Sequence, residues 1–174
     1  LAKEKDEIER AAKEHQQRLD ELAPRFEGVE TVLSAERNEF VVGEPICLNL
    51  KLVNQSTSLL RYDDQQVAVN NSLTITDAKG RKVNYIAPLF QTVGASKKIE
   101  PGQTRALLER FDITEQYALK KAGQYRVQFS GRGLQVAVLD EEPLDPEDAT
   151  PYTSYPEKLP SNVVTITIRE ADKK

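Results

Sequence analysis

The hydrophobic period of this chain changes once, near residue 28, and that change constrains the fold more than any single motif. Residues 1–23 contain no Gly or Pro and are dominated by Lys, Glu, Ala, Gln, Arg and Leu, all strong helix formers. Asp6–Arg10, Glu9–Lys13 and Glu14–Arg18 stand at i,i+4 in the favourable acid-to-base order. Pro24 biases Ala23 away from helical geometry and ends the run. From Ile8 the apolar or seam positions Ala12, His15, Leu19, Leu22 and Phe26 follow at steps of four and three, a weak heptad seam. The spacing predicts an N-terminal helix within 1–26. Two roles stay open for it: packing its stripe on the domain that follows or fraying in solution, or ending a longer helical stalk or coiled coil.

After residue 28 the period is two. Ile46, Leu48, Leu50 and Leu52 alternate with Cys47, Asn49, Lys51 and Val53, behind a turn at Gly43-Glu44-Pro45. Leu73 and Ile75 alternate with threonines, and Asp77-Ala78-Lys79-Gly80 reads as a hairpin turn into Val83 and Tyr85. Residues 104–113 form another candidate strand, with Leu107, Phe111 and Ile113 on one face. Tyr125, Val127 and Phe129, then Val164, Ile166 and Ile168, repeat the pattern. One-sided alternation fits antiparallel sheets with one wet face. Six to nine such strands without intervening helices predict a two-sheet sandwich over 29–170, mainly β, with the helix as an appendage.

The stretch 140–160 departs from this. It holds five of the nine prolines and six carboxylates between Asp140 and Asp148. That density of Pro excludes a central strand, so a long loop between the last two strands is expected. It would bind a partner, bind Ca²⁺, or simply be solvated. Tyr152 and Tyr155, with Asp145 and Asp148, are the candidate partner-binding residues, because Tyr supplies contact area at interfaces.

Composition removes several function classes. One Cys and one His exclude Cys/His zinc modules, and a net charge of −4 argues against non-specific nucleic-acid binding. No apolar run approaches the roughly 18 residues of a membrane span. The chain has no Met and begins with Leu, which suggests that residues precede it: a signal peptide, a membrane anchor or an arbitrary boundary. Asn54-Gln55-Ser56 and Asn70-Asn71-Ser72 match the glycosylation sequon.

Candidate chemistry is sparse. His15 lies on the charged helix and reads as a solvated or seam residue. Cys47 falls on the polar side of its strand with Lys51 as its obvious cationic neighbour, which favours an inert half-buried thiol. Gly131 and Gly133 flank Arg132 without the Lys-Ser/Thr ending of a phosphate loop, so a bend is expected. Acid pairs for glycoside hydrolysis exist in any acid-rich chain, and the absence of Trp weakens a carbohydrate-binding reading. Gly123 followed two places later by Tyr125 has the form of a tyrosine corner, whose phenol bonds backbone a few residues upstream.

Val42-Gly43-Glu44-Pro45-Ile46, the alternating Leu run and Asn54 resemble the opening of bacterial immunoglobulin-like surface modules. Tyr85-Ile86-Ala87-Pro88, Ile99-Glu100-Pro101-Gly102-Gln103-Thr104 and the Tyr117–Phe129 block are similar to the β-sandwich segment that precedes the catalytic domain of deuterolysin-type (peptidyl-Lys) metalloendopeptidases. The resemblance covers about residues 39–130 and implies a non-catalytic accessory sandwich. The His-Glu-x-x-His motif of those peptidases is missing here, so no catalytic residue carries over. The expectation is a non-enzymatic, immunoglobulin-like module without cofactor, extracytoplasmic (periplasmic, secreted or surface-anchored), with a protein partner, an anchor upstream or association through its helix. A proteolysis-related pro-segment or inhibitor, with loop 140–160 entering a protease cleft, is the alternative. An enzyme using carboxylates comes third.

Overall fold

The computed structural model describes residues 2–139, 152–155 and 157–173. The helix α1 spans Ala2–Leu22 and passes into a 3₁₀ turn at Ala23–Phe26, where Pro24 sits as expected. Ile8, Ala12 and His15 are exposed, and burial begins only at Leu22 and Phe26. Among the described residues only the C-terminal end of the stripe is covered, Leu19 in part and Leu22 and Phe26 fully, so the helix is attached by that end. Arg10 reaches forward to Glu14 at 3.6 Å, rather than back to Asp6.

Eleven strands follow among the described residues: β1 Val29–Ala35, β2 Glu39–Val41, β3 Cys47–Asn54, β4 Leu60–Asp63, β5 Leu73–Asp77, β6 Lys97–Ile99, β7 Thr104–Asp112, β8 Gly123–Phe129, β9 Gln135–Leu139, β10 Tyr152–Ser154 and β11 Val163–Arg169. They form three sheets, not two: β1-β3-β7, β10-β9-β4-β6 and β2-β11-β8-β5. The molecule is mainly β and of a sandwich-like class. The expected single second sheet is divided, and the buried face of β3 shows where. Leu48 and Leu50 pack with Ile75, Val127, Phe129 and Ile166 of the third sheet. Two residues further along the same face, Leu52 packs with Leu60, Tyr62, Val136 and Val138 of the second. One three-stranded sheet thus covers two four-stranded ones, each with its own apolar cluster.

Four other expectations change. The pairing is not wholly antiparallel: β2 runs parallel to β11, with Thr167 opposite Glu39, and the Gly43-Glu44-Pro45 turn then returns the chain to the sheet of β1 and β3. β7 is bulged. Arg110 has φ 45°, the pairing with β3 shifts between Leu48 and Lys51, and Leu108 points into the core that Leu107 and Phe111 were expected to fill. Those two are half-buried, while Ile113 is buried in the 3₁₀ turn Ile113–Glu115 beyond the strand. The 77–80 turn forms, closed by the Gly80 N–H on the Asp77 carbonyl at 2.9 Å. Its second arm is only an isolated bridge of Thr76 with Lys82. Finally, the Pro-rich stretch contributes β10, a three-residue edge strand paired with β9.

The tyrosine corner is present. The Tyr125 hydroxyl donates to the Lys121 carbonyl at 2.8 Å. Tyr117 is tied more deeply: its hydroxyl accepts from the Leu73 N–H at 3.0 Å and donates to Asn71 Oδ1 at 3.2 Å. Burial pushes the Tyr117 phenol up to about 12. Gly131 and Gly133 do form a bend, with φ 85° and 84°. A Cβ on Gly133 would lie 2.7 Å from the Gln66 carbonyl, so no other residue fits there without movement.

Candidate functional site

Tyr155, Tyr152, His15 and Cys47, singled out by sequence, fall in different parts of the fold. The Tyr155 ring lies 4.6 Å from that of Phe26, half-buried against the second cluster, and its N–H donates to the Val136 carbonyl at 2.8 Å. It joins the end of the helix to the sandwich instead of standing free. Tyr152 opens the edge strand β10. Asp145 and Asp148 lie outside the described residues, so the candidate set is not seen together. His15 is exposed on α1. Cys47 is half-buried, and its thiol is pushed up by burial and then by the carboxylates of Glu36 and Asp112. A protonated thiol is a poor nucleophile.

Asn54 opens one of the two sequon matches. Its side chain is fully buried, Nδ2 donates to the Ser58 and Ile99 carbonyls, and Oδ1 accepts from the Ser56 N–H and hydroxyl. All four hydrogen-bonding positions of the amide are in use, which leaves none for a glycan.

Two open hollows of about 150 and 190 Å³ adjoin along β9. The first is lined by Arg61, Tyr62, Asp63 and Ser96, the second by Leu134, Tyr155, Glu157 and Leu159; Gln135, Val136 and Ser154 line both. Among the described residues no three His, Cys, Asp or Glu side chains converge on a metal position.

The most unusual surface lies elsewhere, in the irregular connection between β5 and β6. Ile86, Leu89, Phe90 and Val93 are exposed at 53, 61, 56 and 100%. Four large apolar side chains within eight residues face water, although apolar surface of this kind is ordinarily scattered or covered. The loop is held in place. The Ile86 N–H donates to the Gln116 carbonyl at 2.8 Å, and the Tyr85 hydroxyl lies 3.3 Å from the Pro88 carbonyl. Gln66 Nε2 donates to the Thr92 carbonyl at 2.8 Å, the Thr92 hydroxyl donates to the Gln65 carbonyl at 2.8 Å, and Gln65 Nε2 reaches the Ala95 carbonyl at 3.4 Å. The Gln65 amide lies where a Cβ on Gly94 would stand.

Sequence reasoning missed this site. Ile86, Ala87, Pro88, Leu89 and Phe90 form an apolar run without a period, and such a run reads equally well as core. A usable signal was present in the flanks: Lys79, Arg81 and Lys82 precede it, Lys97 and Lys98 follow it, and no acid occurs from Ala78 to Ile99. Bases on both sides of an apolar segment disfavour burying it. No model of a known protein family matches the chain, and no curated protein matches it.

Proposed function

We propose that the chain is a non-enzymatic, immunoglobulin-like binding module of an exported or surface-associated protein, and that the braced loop 84–96 is its contact surface. The observation that carries this is the outward set Ile86, Leu89, Phe90 and Val93 on a loop tied at both flanks. Exposed apolar side chains cost solubility, and bracing limits the conformational freedom lost when a partner covers them. The immunoglobulin-like assignment draws on the tyrosine corner at Tyr125 and the paired layers of alternating strands. The exported location draws on the resemblance to surface modules alone. Association through α1 would use the exposed Ile8, Ala12 and His15 and would appear as a dimer in sedimentation.

A photoreactive side chain placed at position 90 tests the reading in intact cells. Adducts to another macromolecule, at a yield well above that from exposed position 79, are expected. Equal or absent yield at 90 overturns it. The same bracing favours a second reading, a proteolysis-related pro-segment or inhibitor, because a protruding loop held on both flanks can occupy a cleft without yielding to cleavage. Slowing of a protease that prefers apolar residues, abolished by Phe90→Ser, would support it. No slowing at any stoichiometry removes it.

A further inference from the structure

Resting on the association through α1 named above, we infer that the exposed stripe of this helix packs on the same stripe of a second copy of the chain, with the two helices antiparallel. Residues 2–18 are exposed, Leu19 is half-buried, and Leu22 and Phe26 are buried. Ile8 stands 66% exposed. Among the described residues the side-chain bonds of this stretch stay within the helix: Arg10 to Glu14 at 3.6 Å, Gln16 to Asp20 at 3.0 Å and Gln17 to Glu21 at 3.1 Å. Most helical stability in proteins comes from packing an amphipathic face, and the first four turns of α1 pack on nothing in their own chain. The seam has two lines. Ile8, His15 and Leu22 repeat at seven residues, and so do Lys5, Ala12 and Leu19.

Charge and size along those lines select the occupant and its direction. Two parallel copies in register would set Lys5 on Lys5 and bring Glu4 of each against Glu9 of the other, four like charges at one end. Two antiparallel copies with residue 8 opposite residue 19 avoid this. Ile8 of each then meets Leu19 of the other, so the two largest open apolar residues cover one another twice. Ala12 makes room for His15 of the second copy, Glu9 flanks its Gln16, and Glu4 approaches its Arg25. The helix dipoles lie head to tail, which parallel helices do not allow. Sliding the pair by seven residues would place Glu9 against Glu9 and Lys5 against His15, so the register is fixed as well. A stripe that complements itself under a two-fold axis is what an isologous contact requires.

Sedimentation equilibrium and disulfide trapping of the full chain test the assignment. With few apolar side chains in the contact, dimers dissociating near about 0.1 mM are expected, so the measurement runs to about 0.5 mM. Ile8→Glu should weaken the dimer by about a hundredfold, roughly tenfold for each of the two copies of the side chain, whereas Ile8→Leu should keep it. Thermal unfolding confirms that both variants fold. Direction is read in a Cys47→Ser background. Chains carrying Ile8→Cys, mixed with chains carrying Leu19→Cys and oxidised, should give the mixed disulfide. Ile8→Cys alone should give none, because the two thiols would stand about 16 Å apart along the helix pair. A monomer at the highest concentration, or a dimer untouched by Ile8→Glu, overturns the inference together with association through α1. A dimer that forms the disulfide between two copies of Ile8→Cys overturns the antiparallel pair and leaves the association standing. Photo-adducts from position 90 report on the loop alone: with a monomeric chain they keep the loop reading and remove the helix pair.

Discussion

Two connections in this molecule are held by side-chain amides, and they serve opposite ends. At the end of β3, Asn54 is fully buried and every donor and acceptor of its amide is used, reaching as far as the Ile99 carbonyl. The apolar residues around it, Val29, Leu52 and Leu60, face inward. In the loop 84–96, Gln65 and Gln66 hold the backbone at Thr92 and Ala95, yet the apolar residues face outward. Here the bracing is incomplete: among the described residues, buried Gln66 Oε1 has no hydrogen-bond partner. A satisfied amide in a core stabilises the fold. An amide that leaves one atom unsatisfied to hold a greasy loop in water contributes little to stability, which points to a task outside the fold.

The contrast can be broken by substitution. Asn54→Ala should be the most damaging, about 3 kcal/mol in urea unfolding, because the Ile99 and Ser58 carbonyls lose their Nδ2 donor together. A loss under about 1 kcal/mol would show that the buried amide is not what joins these segments. Tyr117→Phe should cost about 1–2 kcal/mol at neutral pH by leaving the Leu73 N–H without its acceptor. It also has a pH signature. Burial pushes the folded phenol up to about 12 from its ordinary value of about 10, so its contribution is complete below pH 10 and is lost as pH rises from about 10 to about 12. Unfolding midpoints measured from pH 9 to 12 should fall less steeply in Tyr117→Phe than in the parent.

On the loop side the expected effects are smaller. Gln66→Leu should change stability by less than about 1 kcal/mol, since it removes an unsatisfied oxygen along with the bond to Thr92. Limited proteolysis should nevertheless cut the loop faster, because one of its ties, at Thr92, is gone. Smallest of all, Leu89→Ser with Phe90→Ser should leave the unfolding free energy within about 0.5 kcal/mol. A large destabilisation there would mean that the loop is a misjudged part of the core.

Much of the sandwich was legible from alternation. β3, β5, β8 and β11 are each wet on one face, and Leu48, Ile75, Val127 and Ile166 lie on the inward side that the pattern assigns them. β7 misled because the bulge at Arg110 turns the register over within the strand, so Leu107 and Leu108 exchange the expected roles. β2, β6 and β10 are three residues each, too short for a period of two to register. The helix was readable from composition, but its exposed stripe was not, since the same seam would suit a docked helix. Of the expected contact residues, Tyr155 is engaged with Phe26, and the loop that carries the site was hidden because apolar character does not state a direction.

Residue order alone settled which side chains share a face of a strand, where the chain turns and that a phenol would pin the Gly123 corner. Those follow from the pleat and from backbone sterics, which act over a few residues. Which apolar residues end in water, how the layer opposite β3 divides in two, and that Asn54 would be completed by a carbonyl 45 residues away were decided only in three dimensions. Burial and hydrogen-bond satisfaction belong to neighbours supplied by distant chain, and no local pattern contains them.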